Sequence, residues 1–121
     1  MTRYLISFGA HAMDHIPDED GPAVGKAAHA VAQEAVNAGV WVFGAGRESE
    51  KASIVATDGT VTDGPYPETK EVIGGFSIID VPSREEALKW AAKIAMACRC
   101  AQEVRRLLPD PEQDEMLRQA D

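Results

Sequence analysis

From Arg3 to Phe8 the chain alternates, with Tyr4, Ile6 and Phe8 on one side and Leu5 and Ser7 on the other, which predicts a first strand. Residues 11–21 are polar and rich in turn formers, so they read as a loop. Pro22 suits the first turn of a helix that runs to about Ala38 and stops at Gly39. Val24, Ala27, Ala28, Val31 and Ala35 form its apolar stripe at helical spacing, although Gly25 lowers its helical propensity. Val40 to Phe43 reads as a second strand, ended by a turn or bulge at Gly44-Ala45-Gly46. A third strand is expected from Ala52 to Ala56, a turn on Asp58-Gly59, and a short return at Val61-Thr62. Gly75 to Val81 is the most strand-like run. Ser83-Arg84-Glu85-Glu86 then has the spacing of a capping box, followed by a helix with Ala87, Leu88, Ala91 and Ala95 on one side. Gln102 to Leu107 reads as a last strand, and Asp110-Pro111-Glu112-Gln113 as the start of a short terminal helix.

The order β-α-β-β-β-α-β predicts an α+β fold of ferredoxin-like plan, with two helices on one face of an antiparallel sheet. Residues 1–108 form the domain in this reading, and 109–121 a C-terminal tail. Both sides of Val40-Trp41-Val42-Phe43 are apolar, and largely so for Phe76, Ile78, Ile79 and Val81. A sheet with one wet face alternates more cleanly. A second copy is the simplest cover for the other face, so a homodimer through the sheet is expected.

The segment between the third strand and the Gly75 run is unusual. Asp63-Gly64-Pro65 forms a tight turn, Pro67 stiffens the next two residues, and Glu68, Lys70 and Glu71 bring charge. This rigid loop holding polar groups marks a place to look for function.

Composition changes the picture only at its edges. At 121 residues, 45% hydrophobic and 26% charged, the chain is one ordinary globular domain. A net charge of −8 argues against nucleic acid and against anionic membrane surfaces, and no basic run exceeds Arg105-Arg106. No apolar stretch reaches the roughly 18–20 residues of a membrane span. The N-terminus reads as a strand rather than a signal peptide. Cys98 and Cys100 are too close for an easy disulfide within one regular element and too few for a zinc site. They read as reduced, structural thiols, which points to a cytoplasmic protein.

Asp63-Gly64-Pro65-Tyr66, Glu68-Thr69-Lys70-Glu71, Gly74-Gly75-Phe76 and Ile79-Asp80-Val81-Pro82 together resemble the YCII-related proteins of the DGPF type. Glu85-Ala87-Leu88, Trp90-Ala91-Ala92 and Glu103-Val104-Arg105 extend the likeness from the first strand to about Arg106. Tyr66 stands where that family usually has Phe, and the region from Cys98 onward is less typical. The resemblance implies a dimeric α+β barrel. It also implies kinship with enzymes acting on small cyclic or aromatic-derived acids, a proposed His-carboxylate site, and for some members a regulatory setting beside alternative sigma factors.

His29 matches the family's first-helix His. It lies at the edge of the apolar stripe near Ala32 and Val36, and its ordinary pKa suits acid–base work near neutrality. It equally fits a rim His with one hydrogen bond. Asp63 is a candidate carboxylate or an Asx-turn cap of the Gly-Pro bend. Asp80 shares a face with Phe76 and Ile78, where a carboxylate is paired, shifted in pKa, or at a cavity mouth. Gly64, Pro65, Tyr66, Glu68 and Lys70 are the substrate-binding candidates on the rigid loop. His11, Asp14 and His15 have no fixed geometry for a metal, and Gly44-Ala45-Gly46 does not open a helix as a dinucleotide site requires. The expectation is therefore a cofactor-free lyase or isomerase acting on a small polar molecule through His29 with Asp63 or Asp80, in a pocket between the sheet and the 62–75 loop. The competing expectation is a non-catalytic dimer that binds a small ligand or acts in regulation.

Overall fold

The computed structural model describes residues 1–48, 52–65 and 72–120. Its elements run β1 (Thr2–Gly9), α1 (Gly21–Asn37), β2 (Trp41–Gly46), β3 (Ser53–Val55), β4 (Val61–Asp63), β5 (Ile73–Val81), α2 (Arg84–Cys98), β6 (Glu103–Arg106) and α3 (Pro111–Gln119). The main sheet has the order β2-β5-β1-β6, and every pair in it is antiparallel. With α1 and α2 as the crossovers this is the expected α+β, ferredoxin-like arrangement. β3 and β4 form a separate two-stranded ribbon.

The pairing of β1 with β5 decides which side chains meet the helices. Tyr4 lies opposite Ile79, Ile6 opposite Ser77 and Phe8 opposite Gly75, and the period of two puts these on one face. Tyr4, Ile6, Ile79 and Val81 are buried there against Ala35 of α1 and against Ala87, Ala91, Ile94 and Cys98 of α2. The other face carries Arg3, Leu5, Phe43, Phe76, Ile78 and Asp80.

Local chemistry sets the helix ends. Pro22 occupies the first turn of α1. Gly39, with φ of 76°, ends it, and the amides of Gly39 and Val40 donate back to the carbonyls of Val36 and Ala35. Ser83 Oγ accepts from the Glu86 amide at 3.2 Å, while the Glu86 carboxylate is taken by Lys89 at 3.3 Å. Asp110 Oδ1 caps α3 by accepting from the Gln113 amide at 3.0 Å.

Two details differ from the sequence reading. β2 continues through Gly44-Ala45-Gly46, and its irregularity falls earlier, between Trp41 and Phe43. A Cβ on Gly44 would sit 2.6 Å from Cζ2 of Trp41, so the glycine is kept in the strand to let the indole lie across it. The inward stripe of α2 is Ala87, Ala91, Ile94 and Cys98, which rotates Leu88 out to 44% exposure. Ile79→Ala should therefore cost about 2–5 kcal/mol in urea unfolding, and Leu88→Ala less than about 0.5 kcal/mol. Similar losses at both positions would contradict this orientation of α2.

Candidate functional site

Between α1 and the β2–β5 end of the sheet lies a cavity of about 540 Å³, within the range of ligand pockets. Its origin is legible residue by residue. On the sheet, the helix-facing positions Gly44, Gly46, Gly75 and Ser77 pair across β2 and β5, and the rings of Trp41 and Phe8 lie over Gly44 and Gly75. On α1, Gly21, Gly25, Ala28 and Ala32 recur at intervals of four, three and four, and line the cavity beside Val24 and Val31. Short side chains on α1 thus face an aromatic floor, and a space remains between the layers.

Larger groups bound the space. Phe8 and Trp41 lie on its floor, Ile94 and Cys98 come from α2, and Met13, Ile16, Pro17 and Asp18 come from the segment joining β1 to α1. That segment is a succession of turns, with Ala12, Asp14, Ile16 and Asp20 donating to the carbonyls three residues back. Arg99 fastens its end to α2 through Asp20 at 2.7 Å.

His29 lines this cavity and is exposed at its edge. Asp18, also exposed, is the carboxylate that shares the lining. No hydrogen bond or ion pair joins the two among the described residues.

Asp80 stands elsewhere. It projects from the opposite face of β5, about 10 Å along the strand from Ser77, and lies directly across from Arg3. The Arg3 Nε to Asp80 Oδ2 distance is 3.9 Å, and Arg3 also reaches Asp114 Oδ1 at 3.1 Å. Asp80 Oδ1 is buried with no hydrogen-bond partner among the described residues. Arg3, Asp80, Arg106, Asp110 and Asp114 line a second cavity of about 190 Å³.

Asp63 ends β4, exposed, on the two-stranded ribbon. The Gly64 amide donates to the Ala52 carbonyl at 2.8 Å, and the Gly64–Pro65 peptide is cis. Neither Asp63, Gly64 nor Pro65 lines the main cavity. Tyr66, Glu68 and Lys70 lie outside the described residues. His11 Nδ1 and Asp14 Oδ2 are 2.9 Å apart on the surface. No three His, Cys, Asp or Glu side chains among the described residues gather as a metal site. No described helix is long and apolar enough to cross a membrane.

The family model of the YCII-related domain matches residues 11–109. The chain belongs to the YCII-related family. No curated protein matches it. The match takes in the turn segment before α1, His29, both aromatic-bearing strands β2 and β5, and all of α2 and β6.

Sequence reasoning reached His29 but passed over the 13–18 segment, Trp41 and the small-residue wall. The signal was present as the Gly21-Gly25-Ala28-Ala32 spacing, which overlaps the apolar stripe at Ala28.

The two cysteines are free. Burial, and secondarily the neighbouring Cys100, holds the Cys98 thiol above its usual pKa. Burial also raises Cys100, partly offset by a hydrogen bond from Gln102. Both are therefore neutral groups at neutral pH. As the folded state keeps these protons longer than the unfolded chain, their contribution is present below the ordinary thiol pKa. It is lost as pH rises through that value, about 8.5, toward the raised one. Cys98→Ala should flatten the fall of the urea midpoint above about pH 8.5. Parallel curves for variant and parent would show that burial leaves this thiol unshifted.

Proposed function

We propose that this YCII-related protein is a homodimer that binds a small organic molecule in the cavity between α1 and the sheet, with His29 at the ligand's exposed edge. The observation that carries the reading is the cavity itself. A half-open cleft of about 540 Å³ is within the range of ligand pockets, and it is lined by short side chains of α1 and aromatic rings of the sheet. The run Asp63-Gly64-Pro65 with the aromatic Tyr66 favours the DGPF-type branch of the family.

The homodimer reading draws on the uncovered sheet face. Phe43 is 56% exposed, its ring 6.2 Å from that of Phe76, with Leu5 and Ile78 beside them. An apolar surface of this kind marks an interaction site, and a two-fold pairing of sheets covers it with the same patch from a second copy. Size measurement should give about twice the 13.0 kDa chain mass. Phe43→Glu should return a folded single-chain species. A parent protein that runs as one chain at micromolar concentration rules the sheet pairing out.

A second reading is catalytic, a cofactor-free lyase or isomerase with His29 as acid–base. Its support is that His29 lines the cavity, and an imidazole is a side chain suited to proton transfer. Asp80 is engaged with Arg3 on the far face and Asp63 lies off the cavity, so in this reading the acid–base role falls to His29 itself. A thermal-shift screen with mass spectrometry of each stabilising compound separates the readings. A bound compound recovered unchanged supports binding alone. Turnover that falls about 10²–10⁴-fold in His29→Ala, with the dimer intact, supports catalysis, and turnover unaffected by that change removes His29 from the chemistry.

A further inference from the structure

We propose that the cavity selects a flat, uncharged ring compound and discriminates against the corresponding carboxylate; this rests on the reading of the cavity as the ligand site. Three observations combine. The first is shape. Gly21, Gly25, Ala28 and Ala32 of α1 line the space beside Val24 and Val31, and across from them lie Gly46, Ser77 and the rings of Trp41 and Phe8. A space with short side chains on one side and aromatic faces on the other suits a flat molecule.

The second is the floor. A Cβ on Gly44 would lie 2.6 Å from Trp41 Cζ2, and one on Gly75 would lie 2.5 Å from Phe8 Cζ. Both aromatic side chains are thus laid across glycines of the sheet, and both border the cavity. Glycine at these two points brings the rings down onto the backbone, where they offer aromatic surface to a ligand ring at stacking distance.

The third is charge. The ionisable residues in the described lining are Asp18, His29 and Cys98. No Lys or Arg is among them, and the chain carries a net charge of −8. A carboxylate drawn into this space loses its hydration, finds no guanidinium or ammonium there, and meets the like charge of Asp18 at the edge. Cys98 is a buried neutral thiol. The hydroxyl of Ser77 and the imidazole of His29 supply hydrogen bonds that suit a single hydroxyl or carbonyl on the ring.

The test compares 2-naphthol with 2-naphthoate at pH 7.5 on the full chain. These share one ring system and differ in charge. Binding is followed by thermal shift, by calorimetric titration and by the indole N–H resonance of Trp41, assigned with Trp90→Phe. The expected result is that naphthol raises the melting temperature and moves the Trp41 signal, with naphthoate at least tenfold weaker. Gly25→Leu should abolish the naphthol effect. A Cβ there meets nothing within 4 Å, and leucine is the better helix former, so the variant retains the fold while filling the slot. If naphthoate binds as tightly as naphthol and moves Trp41, the ligand class is overturned and the cavity reading stands. If naphthol leaves Trp41 unmoved, or binds Gly25→Leu as well as the parent, the class and the cavity assignment fall together.

Discussion

The antiparallel register between β1 and β5 is the constraint on which the remaining features depend. Because side chains alternate across a strand, placing Tyr4 opposite Ile79 and Arg3 opposite Asp80 assigns every residue of the central strands to one of two environments. One face carries Tyr4, Ile6, Ile79 and Val81, which hold α1 and α2. The other carries an aromatic-aliphatic patch and one cross-strand ion pair. A slip by one residue would bury Arg3 and Asp80 beneath the helices and expose Ile6 and Ile79, which are fully buried. The register is therefore strongly specified, and both the cavity and the open face follow from it.

Along the helix-facing side the packing changes from one end to the other. Where β5 finishes, Ile79 and Val81 meet Ala35, Ala87 and Ala91 with no space between them. Where it begins, the positions become Gly75 and Ser77, and the facing strip of α1 becomes Gly and Ala. Filling that end with leucines would add apolar burial of about 25 cal/mol per Å², so the hollow is kept against the direction in which stability pulls. A ligand that occupied it would return part of that lost contact to the folded state, with the logarithm of its concentration over its dissociation constant.

Much of the fold was legible because periodicity reports which face is buried. The strand starting at Arg3, the helix from Pro22 to Gly39, the Ser83 cap and the long run before Pro82 all carry local signals that tertiary packing did not override. The position of Leu88 was not legible, since alanine-rich helices offer several nearly equivalent stripes and only the partner surface chooses among them. The site was legible in one residue, His29, because its place beside the apolar stripe is a property of the helix alone. Asp80 was correctly restricted to a face but not to a partner, because its pairing with Arg3 depends on a register some 77 positions away in sequence. The cavity was missed for a related reason. Gly25 by itself reads as a weakness in a helix, and Gly44-Ala45-Gly46 by itself reads as a turn. Only when the fold sets them opposite each other do their missing side chains add up to a volume.

The ion pair on the open face divides that face in two. Arg3 holds two carboxylates, Asp80 beside it in the sheet and Asp114 from α3. At this exposure such pairs add little to stability, but they fix position, and here they bring the terminal helix to the edge of the face at the start of β1. The face accordingly divides into a polar end, closed by α3, and an apolar end centred on Phe43 and Phe76. Asp80 Oδ1 lies on the boundary, buried and without a hydrogen-bond partner among the described residues. A buried carboxylate oxygen in that condition costs on the order of 1–3 kcal/mol, a cost removed when an incoming donor reaches it.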